Sequence, residues 1–190
     1  MEQSVVVRFS EITLKGKNRH LFEARMAKNI ALHLRGQGDY TLRRQHARME
    51  VAGPGDLGLA ADIVGELPGV ANVSVAHRVS RDFPALAQAC IAFMEQELAK
   101  LPGAEQRPVT FGVDAERKDK RYPMPSMELA AKLGHAIQER FPHLKVNLTQ
   151  PDIWVQVEVV ESGALVFGDK RPGPGGLAVG SSGKVICLQS

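Results

Sequence analysis

Across residues 1–77 the spacing of apolar side chains switches repeatedly between two periods, and that switching constrains the fold more than any other feature. Alternation at period 2 lays one face of a strand on a core, whereas recurrence every three or four residues makes a helical stripe. Val5 to Phe9 is a short apolar strand. Phe22, Met26, Ile30 and Leu34 define a helix, with Asn18 placed to cap it and Gly36 and Gly38 to stop it. Two strands, about Tyr40 to Arg44 and Arg48 to Ala52, join across a tight turn near Gln45 to Ala47. Asp56 is placed as the N-cap of a short helix carrying Leu57, Ala60, Ala61 and Val64, which Leu67-Pro68-Gly69 ends. Val70, Val73 and Val75 give a last strand. The order βαββαβ predicts a ferredoxin-like domain, two helices on one face of a four-stranded antiparallel sheet. That fold hosts many functions and selects none of them.

Arg78 to Asp82 reads as a hinge, after which the pattern changes. Asp82 and Pro84 open a helix whose stripe is Leu86, Cys90, Phe93, Met94 and Leu98, stopped by Leu101-Pro102-Gly103. Val109, Phe111, Val113 and Ala115 alternate as a strand. Tyr122-Pro123-Met124-Pro125 then breaks the pattern, because each proline fixes φ and biases its predecessor away from helix. Ser126 is placed to cap the next helix, with Glu128 in its first turn and Leu129, Leu133, Ala136, Ile137 and Phe141 facing inward. A short strand from Lys145 to Leu148 precedes a hairpin, Ile153 to Val160 and Ala164 to Asp169, turning at Glu161-Ser162-Gly163. The whole is α/β (α+β), with a ferredoxin-like domain over 1–77 and an α/β domain over 78–170. Residues 171–190 begin as a Gly/Pro-rich linker, and Lys184 to Leu188 then reads as the first strand of a further domain.

Charge is informative through its placement. The chain has 190 residues, a net charge of +3 and a pI near 9.0, which permits an anionic partner without requiring one. Arg117, Lys118, Lys120 and Arg121 surround a single Asp119 between the strand and the Ser126 helix. A strand feeding a cationic turn that opens a helix suits a phosphate, because the helix presents free amides there. A solvated charged loop is the plainer alternative. Lys15, Lys17 and Arg19 form a second cationic group, and Arg43, Arg44, His46 and Arg48 a third.

Other chemistry is thin. Cys90 and Cys187 form neither a metal-ligand spacing nor a disulfide framework, and read as small buried hydrophobes. His135 and His143 read as surface histidines, and Trp154 as a packing residue, with base stacking as the lesser reading. Gly180-Ser-Ser-Gly183-Lys184 departs from a phosphate-binding loop in spacing and in the residue after lysine. No nucleophile–base set and no carboxylate pair converges, so no catalytic or metal-binding residue is expected. There is neither a signal-peptide pattern nor an apolar run of spanning length, so a cytoplasmic location and no membrane partner are expected.

Three motifs in order carry a family resemblance. Arg8-Phe-Ser-Glu11-Ile-Thr-Leu14-Lys15-Gly16-Lys17-Asn18-Arg19 with Phe22 resembles the opening of the tRNA 4-thiouridine synthetases, the thiamine-biosynthesis tRNA sulfurtransferases. Lys118-Asp119-Lys120-Arg121-Tyr122-Pro123 with Ser126-Met-Glu128-Leu129 resembles their THUMP signature, and Pro172-Gly-Pro-Gly-Gly176-Leu177 with Gly180 their interdomain linker. Val185 to Ser190 is similar to the strand that precedes the family's pyrophosphatase loop. The resemblance implies a ferredoxin-like plus THUMP portion that binds the tRNA acceptor stem and 3′-CCA end. It implies that ATP and Mg, adenylation of uridine 8, the catalytic cysteines and sulfur delivery from a cysteine desulfurase belong to a domain beyond Ser190. A homodimer sharing one tRNA is a further implication. On this reading Arg117, Lys118, Lys120 and Arg121 meet phosphates, Ser126 positions, and Tyr122 either stacks on a base or packs in the core. Lys15, Lys17, Arg19, Arg44 and Arg48 extend the patch. Pro125 departs from the small polar residue expected before Ser126. The competing readings are a protein-interaction or dimerisation module, and the RNA-binding part of another THUMP-containing tRNA-modifying enzyme.

Overall fold

The computed structural model describes residues 2–10, 19–45, 48–103 and 107–181. Its elements are β1 (Glu2–Phe9), α1 (Arg19–His33), β2 (Thr41–Gln45), β3 (Arg48–Ala52), α2 (Leu57–Gly65), β4 (Val70–Val79) and α3 (Phe83–Lys100). They continue with β5 (Thr110–Arg117), α4 (Ser126–Arg140), β6 (Lys145–Val146), β7 (Ile153–Val160), β8 (Gly163–Phe167) and β9 (Arg171–Pro172). The chain divides into two compact units. One comprises residues 4–75 with 170–190, the other residues 1–3 with 76–169.

The first unit orders its strands β2-β3-β1-β4, with β3 antiparallel to both neighbours. Val5 and Val7 of β1 and Met49 and Val51 of β3 face the same core as Met26 and Ile30 of α1 and Ala60, Ala61 and Val64 of α2. The helical stripe read from the sequence is thus the buried one: Met26 and Ile30 are fully enclosed and Leu34 nearly so. Asp56 caps α2 as its side-chain type dictates, accepting hydrogen bonds from the amides of Gly58 (2.8 Å) and Leu59 (3.1 Å). The Asn18 cap, His46 and Cys187 lie outside the described residues.

The glycine-rich segment after β8 is not free chain. β9 pairs antiparallel with β4, Asn72 opposite Pro172. The Gly173 amide donates to the Ala71 carbonyl at 2.9 Å, the Gly175 amide to Val70 at 2.8 Å and the Gly69 amide to Gly175 at 2.7 Å. Arg171 holds the Asp62 carboxylate and the Ala61 carbonyl, Asn29 Nδ2 donates to the Val179 carbonyl, and Ala178 is buried in the core. Composition describes a linker here; the structure has a strap. Gly173 explains the composition, since a Cβ there would sit 2.6 Å from the Val70 carbonyl oxygen and 2.9 Å from that of Gly65.

The second unit orders its strands β4-β8-β7-β5-β6, with β5 parallel to β6 and β7 and the remaining pairs antiparallel. Helices α3 and α4 pack on this sheet and on one another. Leu86, Cys90, Phe93 and Met94 of α3 join Leu129, Leu133 and Ile137 of α4 over Phe111, Val113, Val155 and Val157. Arg78 and Val79, expected to begin a hinge, are the last residues of β4, paired with Leu165 and Ala164 of β8. The extended pattern simply runs four residues past Val75 to Val79. Trp154 packs over Gly112 of the adjacent strand, where a Cβ would come within 2.7 Å of the indole. Asp82 is the N-cap of α3 by position, but its carboxylate accepts from the Ser80 hydroxyl (2.8 Å) and makes no bond to the helix amides.

Candidate nucleic-acid interface

The basic turn sits where β5 ends and α4 begins, and its geometry is governed by Asp119. The amides of Lys118 and Asp119 both donate to the Val159 carbonyl, at 2.9 and 3.2 Å, which pins the start of the turn to β7. The Asp119 side chain is buried and accepts from the Arg121 amide (3.0 Å), Arg121 Nε (3.0 Å) and Arg81 Nη1 (2.8 Å). Bonding to the Arg121 guanidinium, then to its amide and to Arg81, lowers the Asp119 pKa to about 2. The Arg121 guanidinium, shared between Asp119 and Glu161 (2.6 Å), is held well above its ordinary value.

The predicted phosphate contacts therefore differ in kind. Lys118 is exposed and pairs with Glu116, and Arg121 is exposed and doubly paired. Arg117 is half-buried; its Nη1 donates to the Tyr122 carbonyl at 3.0 Å, and its Nε is shielded from solvent with no hydrogen-bond partner among the described residues. Lys120 is exposed and enters no ion pair among the described residues. The Lys118–Glu116 and Arg121–Glu161 pairs are exposed on both sides and weak, so a phosphate can displace those two carboxylates. Tyr122 is a core residue, 6 % exposed, and burial raises its hydroxyl pKa. Of its two sequence readings the structure takes packing.

Ser126 corrects the expected cap. Pro125 is the N-cap of α4: its extended backbone (φ −58°, ψ 150°) leaves its carbonyl to accept from the Leu129 amide at 2.9 Å. Proline already supplies the fixed φ for that position, so Ser126 falls one residue inside the helix. Its hydroxyl instead accepts from the Arg117 amide at 3.2 Å, tying the end of β5 to the start of α4. The first amides of α4 consequently have no side-chain cap.

In the first unit the predicted cations separate. Arg44 is exposed on β2, as a phosphate contact requires. Arg48 is 9 % exposed and gives two hydrogen bonds to Gln45 Oε1 (3.1 and 2.8 Å), with Glu50 3.9 Å away; burial makes it a structural residue of the hairpin, not a surface contact. Arg19, the first residue of α1, bonds Glu23 at 2.7 Å across one helical turn. Lys15 and Lys17 lie outside the described residues. Arg81 is the cation that sequence reasoning missed. It precedes Asp119 by 38 residues, and no spacing rule joins them.

The site is thus a cationic turn bound to a buried aspartate, between a strand and the uncapped start of a helix. The THUMP domain family matches residues 80–169, and the ThiI ferredoxin-like domain family matches residues 4–74. The chain thus contains a ferredoxin-like domain and a THUMP domain. Curated relatives that it matches are named probable tRNA sulfurtransferases. It is 32% identical over 191 residues to a probable tRNA sulfurtransferase of Alkaliphilus oremlandii, covering 100% of this chain and 47% of the relative. It is 33% identical over 193 residues to that of Natranaerobius thermophilus, covering 100% and 46%. A 4-thiouridine synthetase solved with RNA and ATP matches with a TM-score of 0.79 at 32% identity, over 95% of this chain and 44% of that one. The chain spans about half the length of these relatives. No helix among the described residues is long and apolar enough to cross a membrane.

Proposed function

We propose that this chain is the tRNA-binding portion of a tRNA sulfurtransferase, gripping the acceptor stem and 3′-CCA end so that uridine 8 is presented for ATP-dependent 4-thiolation. The observation that carries the reading is the turn from Arg117 to Ser126, where Lys120 stands exposed and unpaired among the described residues beside the uncapped start of α4. Cations and amides in that arrangement hold an RNA backbone without reading its sequence. ATP and Mg chemistry, sulfur received from a cysteine desulfurase and a role in thiamine thiazole formation fall, on this reading, to the other half of the relatives' length. A cytoplasmic location and a homodimer sharing one tRNA complete the proposal.

The test is tRNA binding as a function of salt. Contact with about four phosphates of a single-stranded end gives a log–log slope near −3, at ~0.7 per contact. A folded chain that binds no tRNA at low salt overturns the reading and leaves a protein-interaction module in its place.

A further inference from the structure

Three carboxylates stand among the cations of the basic turn, and they are held in different ways. Asp119 is 6% exposed and accepts from the Arg121 amide, Arg121 Nε and Arg81 Nη1. Glu116 lies one residue before the end of β5 and is 51% exposed. Glu161 lies in the two-residue turn between β7 and β8 and is 79% exposed. Among the described residues each glutamate has one partner, Lys118 Nζ for Glu116 and Arg121 Nη2 (2.6 Å) for Glu161. Neither packs in the core or caps a helix, so the fold does not depend on either.

Arg121 combines the two arrangements on one guanidinium. Its Nε donates to Asp119 Oδ1 at 3.0 Å, whereas its Nη2 reaches Glu161. Departure of Glu161 leaves the group anchored on Asp119, with Nη2 turned outward. A guanidinium oriented in advance loses little freedom on taking a phosphate. Lys118 is rooted by its amide on the Val159 carbonyl, while its flexible stem lets the ammonium follow a ligand. Lys120, with no ion pair among the described residues, needs no exchange at all.

We infer that Glu116 and Glu161 are built-in competitors: their carboxylates stand where two phosphates of the ligand bind, and they lower the turn's affinity for it. The inference rests on the tRNA-binding reading above and deepens it, separating Asp119, which orients, from two glutamates, which compete. Exposed ion pairs are weak enough to exchange and strong enough to register in a binding constant. The phosphates enter at Lys118 Nζ and Arg121 Nη2, each in exchange for a carboxylate, and the carboxylates return as the RNA leaves. General repulsion of a polyanion by surface carboxylates is the rival explanation, and it needs no paired cation. Asp114 reports on it, being exposed on β5 two residues before Glu116 and in no ion pair among the described residues.

The experiment measures binding of the 190-residue chain to an acceptor-stem minihelix with a single-stranded CCA end, by fluorescence anisotropy at about 0.15 M salt. Glu116→Gln and Glu161→Gln are each expected to bind about two- to fivefold tighter than the native chain. In a Lys118→Ala or Arg121→Ala background, respectively, the same substitution is expected to change affinity by less than about 1.5-fold, because the pair is already gone. Asp114→Asn is expected to stay within that limit too. Two separate pairs keep the test decisive where one background binds too weakly to measure. Glutamine variants that bind no tighter overturn the inference while tRNA binding stands. So does a gain that persists without the partner cation, which is general repulsion. If the native chain binds no minihelix, the tRNA-binding reading falls and the inference with it.

Discussion

Arg81 Nη1 lies 2.8 Å from Asp119 Oδ2, and the same buried carboxylate holds the Arg121 guanidinium and amide. One anion therefore fixes two cations that are far apart in sequence, together with the backbone of the turn that carries Lys120. Asp119→Ala should leave the THUMP domain folded but loosen this turn, weakening tRNA binding more than Arg81→Ala or Arg121→Ala does. Filter binding across the three variants, with circular dichroism for folding, measures it; equal losses would show that Asp119 acts only through its individual ion pairs.

The same residue gives a pH dependence. Its folded pKa, about 2, lies below the ordinary carboxyl value near 4, so its stabilisation is complete above about pH 4 and is lost as the pH falls toward 2. Asp119→Asn should be less stable than the native chain at neutral pH, and the gap should close across that window. Asp152, depressed by Arg107 and by the Thr110 amide and hydroxyl, leaves both proteins a residual acid sensitivity. Urea titrations at several pH values supply the comparison, and a gap constant down to pH 2 contradicts the assignment.

Lys120 and Arg48 should respond oppositely to substitution. Lys120→Glu changes an exposed residue, so stability stays within about 0.5 kcal/mol while the salt slope for tRNA becomes shallower by about 0.7. Arg48→Ala removes two hydrogen bonds to Gln45 from a buried position and should destabilise by about 1–3 kcal/mol. Its salt slope should not move. Thermal melts and binding isotherms on both proteins decide.

Cys90 is fully enclosed by the THUMP core, and burial pushes its thiol up to about 12. In a Cys187→Ser background the native chain should not react with a thiol reagent at pH 8, and should react stoichiometrically in denaturant. Rapid labelling of the folded chain would mean that α3 opens readily.

Gly173→Ala should destabilise the ferredoxin-like domain by about 1–3 kcal/mol, because its Cβ would press on the Val70 and Gly65 carbonyls. Hydrogen exchange in β4 and α2 should rise while α4 stays protected. Uniform exchange changes would contradict a strap local to the first unit.

Much of this was legible from residue patterns because burial enforces periodicity. Met26, Ile30 and Leu34, or Leu129, Leu133 and Ile137, announce their helices by lying on one enclosed stripe. Asp56 was readable as a cap because its chemistry is local. Ser126 was misplaced by one residue because Pro125 satisfies the same position through backbone geometry. Arg48 looked like a surface cation because charge patterning carries no burial, and only the β3 pairing encloses it. Arg81–Asp119 and the strap were invisible for one reason: each joins residues distant in sequence, and glycine composition reads alike in a loose linker and in a tight backbone approach.

The strap also sets an order of events on the ribosome. Ala178, Arg171 and Gly175 complete the ferredoxin-like core and its hydrogen bonds, yet they follow the whole THUMP domain in the chain. Synthesis delivers most of the first domain early, but its final pieces emerge only after residues 76–169 have been made. Of these two domains, the one that begins earlier in the chain is thus the later to close, and a nascent chain halted within the THUMP domain carries an unfinished apolar core.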